Sequence, residues 1–256
     1  MIDIHAHILY GLDDGPENED TTLRMLRSAK SEGIDRIIAT PHFIYGANRY
    51  DMKLHKERQH EAAGLIKKNN VGVKLYAGNE LFLDEFIPGC IRAKQCFTLA
   101  GSDYVLIELP VTGFPKHIDS ILYRILGEGR IPVLAHAERY EQVQSDPEIL
   151  YHFIQMGCFI QVNSASITGE SGRRLQETSR EIFSEGIGHL VATDMHSDQW
   201  RAPRLRDSYE VIKGWLGEER AFKIFETNPE AILKNVKIVP DEPVTIRKRH
   251  FLAFSR

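Results

Sequence analysis

Seven short apolar runs, each followed by a stretch of helical periodicity, limit what this chain can fold into more than any other feature. The runs are Ile2-Asp3-Ile4-His5, Arg36-Ile37-Ile38-Ala39-Thr40, Val73-Lys74-Leu75-Tyr76-Ala77, Tyr104-Val105-Leu106-Ile107-Glu108, Pro132-Val133-Leu134-Ala135-His136, Phe159-Ile160-Gln161-Val162 and Leu190-Val191-Ala192-Thr193-Asp194. Several are nearly continuous in β-branched and apolar residues, the pattern of parallel strands covered on both faces. Between them, 19–32 places Leu23, Leu26 and Ala29 on one face and stops at Gly33. Residues 117–128 group Ile118, Ile121, Leu122 and Ile125 ahead of Gly129. Residues 148–156 open behind Ser145-Asp146-Pro147 and close at Gly157, and 171–185 end at Gly186. Two or three more helices fill 207–235, the last beginning at Asn228-Pro229. Strands alternating with helices predict a parallel α/β fold. The 256 residues fit one barrel domain over 1–240, followed by a tail over 241–256.

The ends of these strands carry the chemistry. His5 and His7 close the first, His42 follows the second, and Glu80 follows the third. Glu108 ends the fourth, His136 the fifth, and Asp194 with His196 the seventh; Asp14 stands in the turn-forming Leu12-Asp13-Asp14-Gly15-Pro16 behind the first. Residues i and i+2 on a strand share a side, so His5 and His7 can bind one cation, as can Asp194 and His196. Barrel active sites collect at this end of the strands. An open sheet would spread the groups along an edge, whereas a barrel gathers them into one cup. The predicted fold is therefore a parallel α/β barrel. Nine ligands, His5, His7, Asp14, His42, Glu80, Glu108, His136, Asp194 and His196, exceed the needs of one ion. They imply two or three, with a carboxylate such as Glu80 bridging. Mixed imidazole and carboxylate donors suit Mn, Fe, Zn or Co better than Ca or Mg alone. Multinuclear sites of this kind cleave phosphate esters by activating water and clamping the attacking and leaving oxygens. Arg139 and Arg201, three and five residues beyond His136 and His196, can reach over such a cup and bind phosphate oxygens; the competing reading of each is a surface salt bridge.

Composition excludes several classes. There are 32 basic and 36 acidic residues, a net charge of −4 that argues against nucleic acid as the partner. No apolar run approaches the roughly 18 residues of a membrane span, and the first residues lack the pattern of a signal peptide, so a cytoplasmic protein is expected. The three cysteines, Cys90, Cys96 and Cys158, fit neither a disulfide framework nor a zinc ribbon. None is followed six residues on by arginine, as a thiolate phosphatase requires, and they are read as core residues.

The opening Met1-Ile2-Asp3-Ile4-His5-Ala6-His7-Ile8-Leu9, with Asp13-Asp14-Gly15, resembles the polymerase and histidinol phosphatase (PHP) superfamily. So do Ala39-Thr40-Pro41-His42, Gly78-Asn79-Glu80, Leu106-Ile107-Glu108, Ala135-His136-Ala137-Glu138-Arg139-Tyr140 and Thr193-Asp194-Met195-His196. More narrowly, the chain is similar to the manganese-dependent tyrosine-protein phosphatases of bacterial capsule and exopolysaccharide operons. The resemblance implies a distorted (β/α)7 TIM-like barrel with a trinuclear metal centre held by the nine ligands and phosphate contacts from Arg139 and Arg201. It also implies direct hydrolysis without a phospho-enzyme. The substrate it implies is the phosphorylated C-terminal tyrosine cluster of a tyrosine kinase that controls polysaccharide export at the inner face of the membrane.

Phe43, Tyr45 and Tyr50, just beyond His42, are expected either to rim the cup and hold the substrate ring or to pack their own loop. His55 and His60, in a polar helical stretch over 51–68, are read as structural or solvated, as are His117, His152 and His189. The tail, with Arg247-Lys248-Arg249 followed by Phe251-Leu252-Ala253-Phe254, suits either weak contact with an anionic membrane or an acidic kinase surface, or a frayed end. Two rival functions are a histidinol-phosphate or other small-phosphomonoester phosphatase of the same superfamily and a non-catalytic metal-binding module that docks on a kinase. A polymerase-associated exonuclease is disfavoured by the charge balance. Oligomeric state is not legible.

Overall fold

The computed structural model describes residues 1–46 and 51–240. Tyr50 and the tail read at 241–256 lie outside the described residues. Among the described residues nine strand segments run in parallel: β1 (Ile2–Ala6), β2 (Arg36–Ala39), β3 (His42–Phe43), β4 (Lys74–Ala77), β5 (Glu80–Phe82), β6 (Tyr104–Glu108), β7 (Ile131–Leu134), β8 (Phe159–Asn163) and β9 (Leu190–Ala192). β1 pairs with β2 and β2 with β4, while β3, β5, β6, β7, β8 and β9 pair in that order.

Seven predicted strands become nine segments because two are broken. β2 resumes as β3 past Thr40-Pro41, and β4 resumes as β5 past Gly78-Asn79. Pro41 has no N–H for the ladder. Its carbonyl instead accepts from Glu80 N at 3.3 Å and Asn79 Nδ2 at 2.8 Å. At Gly78 a Cβ would lie 2.8 Å from Ile38 Cγ2, so no side chain fits beside the break. The circuit returns from β9 to β1. Ala6 bridges Met195, His7 N donates to Met195 O at 2.9 Å, and Asp194 N donates to His5 O at 2.9 Å. The buried Asp3 carboxylate clasps the same seam, accepting from Thr193 N at 3.0 Å. The strands thus form a curled parallel sheet, seven staves of a distorted barrel.

Two apolar clusters lie on its two faces. Ile38, Tyr104, Leu106, Val133, Ala135, Phe159, Leu190 and Ala192 pack together on the inner face, with Ala231, Ile232 and Ile238 closing them from the C-terminal segment. Ala39, Val105, Ile107, Leu134, Ile160, Val162 and Val191 face outward onto the helices. Those helices include Glu19–Ser31, Met52–Lys68, Ile118–Gly127, Ile149–Met156, Arg173–Ser184 and Arg206–Leu216, close to the expected spans. Glu19–Ser31 begins at Asn18, whose side chain accepts from Thr21 N, and buries Met25, Leu26 and Ala29. The inner alternation continues past the apolar layer. Leu106 leads to Glu108, Phe159 to Gln161 and Asn163, and Ala192 to Asp194. In β1 the phase changes: Ile2 and Ile4 belong to the inner cluster, but Ala6 and Ile8 belong to the outer one. The pairing with β2 shifts between Asp3 and Ala6. Such a shift re-aims side chains, and it turns His5 and His7 inward above Ile4.

Candidate metal centre

All nine predicted ligand residues meet at the C-terminal end of the sheet. Glu80 Oε2 lies 3.3 Å from His5 Nε2, 3.2 Å from His7 Nε2 and 3.0 Å from His42 Nδ1. Its other oxygen lies 2.9 Å from His136 Nε2. Glu108 Oε2 is 3.6 Å from His42 Nδ1. Asp194 Oδ1 lies 3.3 Å from His5 Nε2, and Asp14 Oδ1 lies 3.2 Å from His196 Nε2. Gly15 lets the Asp14 loop fold back: a Cβ there would stand 2.7 Å from the His7 carbonyl. His136 and Asp194 have φ of 32° and 53°, a left-handed backbone that non-glycine residues adopt at a cost and that recurs at functional sites.

Hydrogen bonds fix which imidazole nitrogens face the centre. Gln161 Oε1 accepts from the His136 amide at 2.9 Å, so the atom there is the oxygen, and His5 Nδ1 donates to the same oxygen at 3.1 Å. His7 Nδ1 donates to Asp13 Oδ2 at 2.6 Å, and His196 Nδ1 donates to the Asp194 carbonyl at 2.9 Å. The Nε2 lone pairs of His5, His7 and His196 are thereby left for the centre. His5 Nε2 and His7 Nε2 stand 3.2 Å apart.

The arrangement suits divalent cations. Glu80 Oε2 and Asp194 Oδ1 are buried without a hydrogen-bond partner among the described residues. Buried polar atoms are rarely left so. Donors sharing a cation at about 2.1 Å stand roughly 3 Å apart, as these do. Three candidate ligand groups emerge among the described residues: His7, Asp14, His42 and His196; His5, His7 and Glu80; and His42, Glu80 and Glu108. Each pair of groups shares one residue, His7, His42 or Glu80. Glu80 is the shared carboxylate.

Electrostatics agree. Burial would push the Glu80 carboxyl up, yet His5, His136 and His42 hold it well below the usual range. Burial would lower the pKa of His5, but Glu80 and Asp194 raise it. Burial and the charge of Glu80 together push Glu108 up. A cation would replace the imidazole protons as the positive partner of these carboxylates.

The profile of the family described as capsular polysaccharide synthesis, CpsB/CapC, matches residues 1–234. The chain belongs to the CpsB/CapC family. It is 29% identical over 254 residues to tyrosine-protein phosphatase YwqE of Bacillus subtilis strain 168, covering 99% of this chain and 100% of that one. It is 32% identical over 244 residues to tyrosine-protein phosphatase CpsB of Streptococcus agalactiae serotype III, covering 92% and 99%. Crystal structures of YwqE from B. subtilis and CpsB from Streptococcus pneumoniae are described as those of unique metal-dependent tyrosine phosphatases. One such chain superposes with a TM-score of 0.91 at 29% identity, over 95% of this chain and 99% of that one.

In this CpsB/CapC chain both predicted arginines reach the centre through one carboxylate. Arg201 Nη2 donates to Asp194 Oδ2, and Arg139 Nη1 lies 3.5 Å from the same oxygen. Asp194 therefore turns one oxygen to the imidazoles and the other to the guanidinium groups. Phe43 does not rim the cup: it is 7% exposed and packs in the outer core. Tyr45 is 46% exposed and stacks on Phe86, ring centroids 4.5 Å apart. His55, on a helix that reads as polar, is buried against Phe97. His152 is exposed and pairs with Asp119 at 2.9 Å.

The sequence reading assigned no role to Asp13, Gln161, Asn163 or Glu138. Asp13 also accepts from His42 N at 3.0 Å and Gly15 N at 3.0 Å. Gln161 Nε2 donates to Asn163 Oδ1 at 2.8 Å, and Asn163 Nδ2 donates to Asp194 Oδ2 at 2.8 Å. Glu138, fully buried, accepts from Ser166 Oγ at 2.7 Å and Asn163 N at 3.2 Å. The signal for Gln161 and Asn163 was two amides in the inward phase of a strand that ends at the cup.

Proposed function

We infer that this chain is a metal-dependent protein-tyrosine phosphatase, a cysteine-independent phosphoric monoester hydrolase. The observation that carries the reading is Asp194, one oxygen among the ligand imidazoles and the other on Arg139 and Arg201. It sets two guanidinium groups against the metal-ligand cluster, where a phosphoryl group would lie between them. The names of YwqE and CpsB supply the substrate class.

Two or three divalent ions, Mn foremost with Fe, Co or Mg as alternatives, would be held by the nine ligands and would supply Lewis-acid charge neutralisation and an acidified water. Glu80 and Asp194, kept ionised, would hold those cations, while Gln161 and Asp13 fix the imidazoles. Arg139 and Arg201 bind the phosphoryl oxygens and offset charge as it develops on them. The leaving group is a phenolate whose parent pKa is about 10, so it needs less proton assistance than a serine alkoxide. Burial pushes the thiols of Cys96 and Cys158 up to about 12, the opposite of what a nucleophilic cysteine needs.

The family's tie to capsular polysaccharide synthesis supports, as physiological substrate, the phosphorylated tyrosines of a bacterial tyrosine kinase controlling polysaccharide export, met in the cytoplasm. No helix among the described residues is long and apolar enough to cross a membrane. Rates on a phosphotyrosine peptide and on histidinol phosphate, with Arg139→Ala beside the parent, test the reading. A peptide preference lost in Arg139→Ala with metal content unchanged supports it. A preference for histidinol phosphate points to the small-metabolite phosphatase. Activity on neither makes a docking module the better account.

A further inference from the structure

We propose that the cavity opening beyond Arg139 and Arg201 receives the aromatic leaving group, with Trp200 and Leu175 setting a preference for aryl over alkyl phosphomonoesters. The proposal rests on the phosphatase reading and deepens it.

A cavity of about 380 Å³ is lined by both arginines together with Asn163, Leu175, Trp200 and Arg204. Asn163 and both arginines also contact Asp194 Oδ2. The cavity therefore begins where the phosphoryl group has to sit to touch ligand cluster and guanidinium groups together. A group esterified to that phosphate has this space beside it. Leu175 and Trp200 supply large apolar surface in the walls. Arg204 is held on the rim by Glu170 at 3.0 Å.

Trp200 is 73% exposed, yet the loop that displays it is built firmly. Ser197 Oγ accepts from Trp200 N at 2.8 Å and Gln199 N at 3.2 Å and donates to the Trp200 carbonyl. His196 N donates to Arg201 O at 3.0 Å, closing the loop on a metal-ligand residue, and Arg24 Nε anchors Asp198 at 2.6 Å. The Arg201 guanidinium carbon lies 5.8 Å from the centre of the Trp200 ring, so the residue expected to bind phosphate flanks the residue expected to meet the ring. Tyr45 and Phe86 spend one face each on the other, with planes 23° apart. Neither lines the cavity that both arginines share. An aromatic ring offered to Trp200 gains offset-stacked or edge-to-face contact that an alkyl group lacks.

The test uses manganese-loaded protein and Trp200→Ala, Trp200→Phe and Leu175→Ala. Trp200 is exposed, so its loss leaves the fold intact. Binding of phenylphosphonate and methylphosphonate is measured by calorimetry, beside KM and kcat for a phosphotyrosine peptide, phenyl phosphate and glycerol phosphate. The expected result is that Trp200→Ala and Leu175→Ala weaken phenylphosphonate about tenfold and raise KM for both aryl substrates by a similar factor. Methylphosphonate binding, glycerol phosphate turnover and metal content stay level, and Trp200→Phe keeps most of the aryl preference. An unchanged phenyl-to-methyl ratio in Trp200→Ala, with the parent active on phosphotyrosine, overturns this proposal alone. A parent inactive on every aryl phosphate overturns the phosphatase reading and this proposal with it.

Discussion

Gln161 Oε1 accepts from the backbone of His136 at 2.9 Å and from the ring of His5 at 3.1 Å, so one neutral amide ties together the ends of β1 and β7, two strands that do not pair with each other. Its own Nε2 continues through Asn163 to Asp194. Partners that orient metal ligands commonly change affinity by about 10–100-fold when removed. Gln161→Leu is therefore expected to weaken manganese binding by a factor in that range while the folded chain survives in chelator. Calorimetric titration with manganese, beside a melting curve of the apo protein, reads both. Unchanged affinity would mean that packing alone holds His5.

Asp13 and Asp14 are adjacent and differ in role. The Asp13 side chain is 4% exposed and binds His7 Nδ1 and two backbone amides. The Asp14 side chain is 63% exposed and faces His42 and His196. Removing one partner of a buried pair costs about 3 kcal/mol or more. Asp13→Ala should lower apo stability by about that amount as well as metal affinity. Asp14→Ala should lower metal affinity and leave apo stability within about 0.5 kcal/mol. Equal effects on apo stability would contradict the division.

Sequence and structure part company at these residues for a physical reason. The recurrence of strand and helix, the i, i+2 spacing and the chemistry of the strand ends are one-dimensional patterns, and they pointed to a barrel and to nine candidate ligands at one end of it. The pairing of Gln161 with His5 spans 156 positions, and that of Asp3 with Thr193 spans 190. No local pattern marks such a pair. The phase change in β1 and the breaks at Pro41 and Gly78 arise from fitting each strand to its neighbours. Phe43 packs in the core and away from the cup for the same cause: proximity to His42 in sequence does not say which face a side chain takes.

The cysteines yield a negative control with a mechanism behind it. All three are buried, and the thiols of Cys96 and Cys158 are pushed up to about 12 by desolvation. Iodoacetamide at pH 7.5 is expected to leave phosphatase activity intact, and Cys90→Ala should turn over as the parent does. Rapid inactivation that tracks modification of a single cysteine would contradict metal-centred chemistry.

His55 predicts how the apo protein responds to acid. Burial lowers its pKa to about 4 from the usual 6.5. Above pH 6.5 the imidazole is neutral in both states and contributes no pH dependence. As pH falls from 6.5 toward 4 the unfolded chain takes a proton that the folded chain refuses, so stability declines, by roughly 3 kcal/mol at the lower end. His55→Phe, which keeps an aromatic ring beside Phe97, should lose less melting temperature between pH 7 and pH 5 in chelator than the parent does. Parallel curves for the two proteins would show that His55 is protonated in the fold.

The most direct measurement is phosphate release from a phosphotyrosine peptide and a matched phosphoserine peptide, with manganese and then with chelator. The account predicts manganese-dependent release that favours phosphotyrosine, is abolished by chelator and is lost in His136→Ala. Release that persists in chelator, or none from either peptide by folded and manganese-loaded protein, would contradict it.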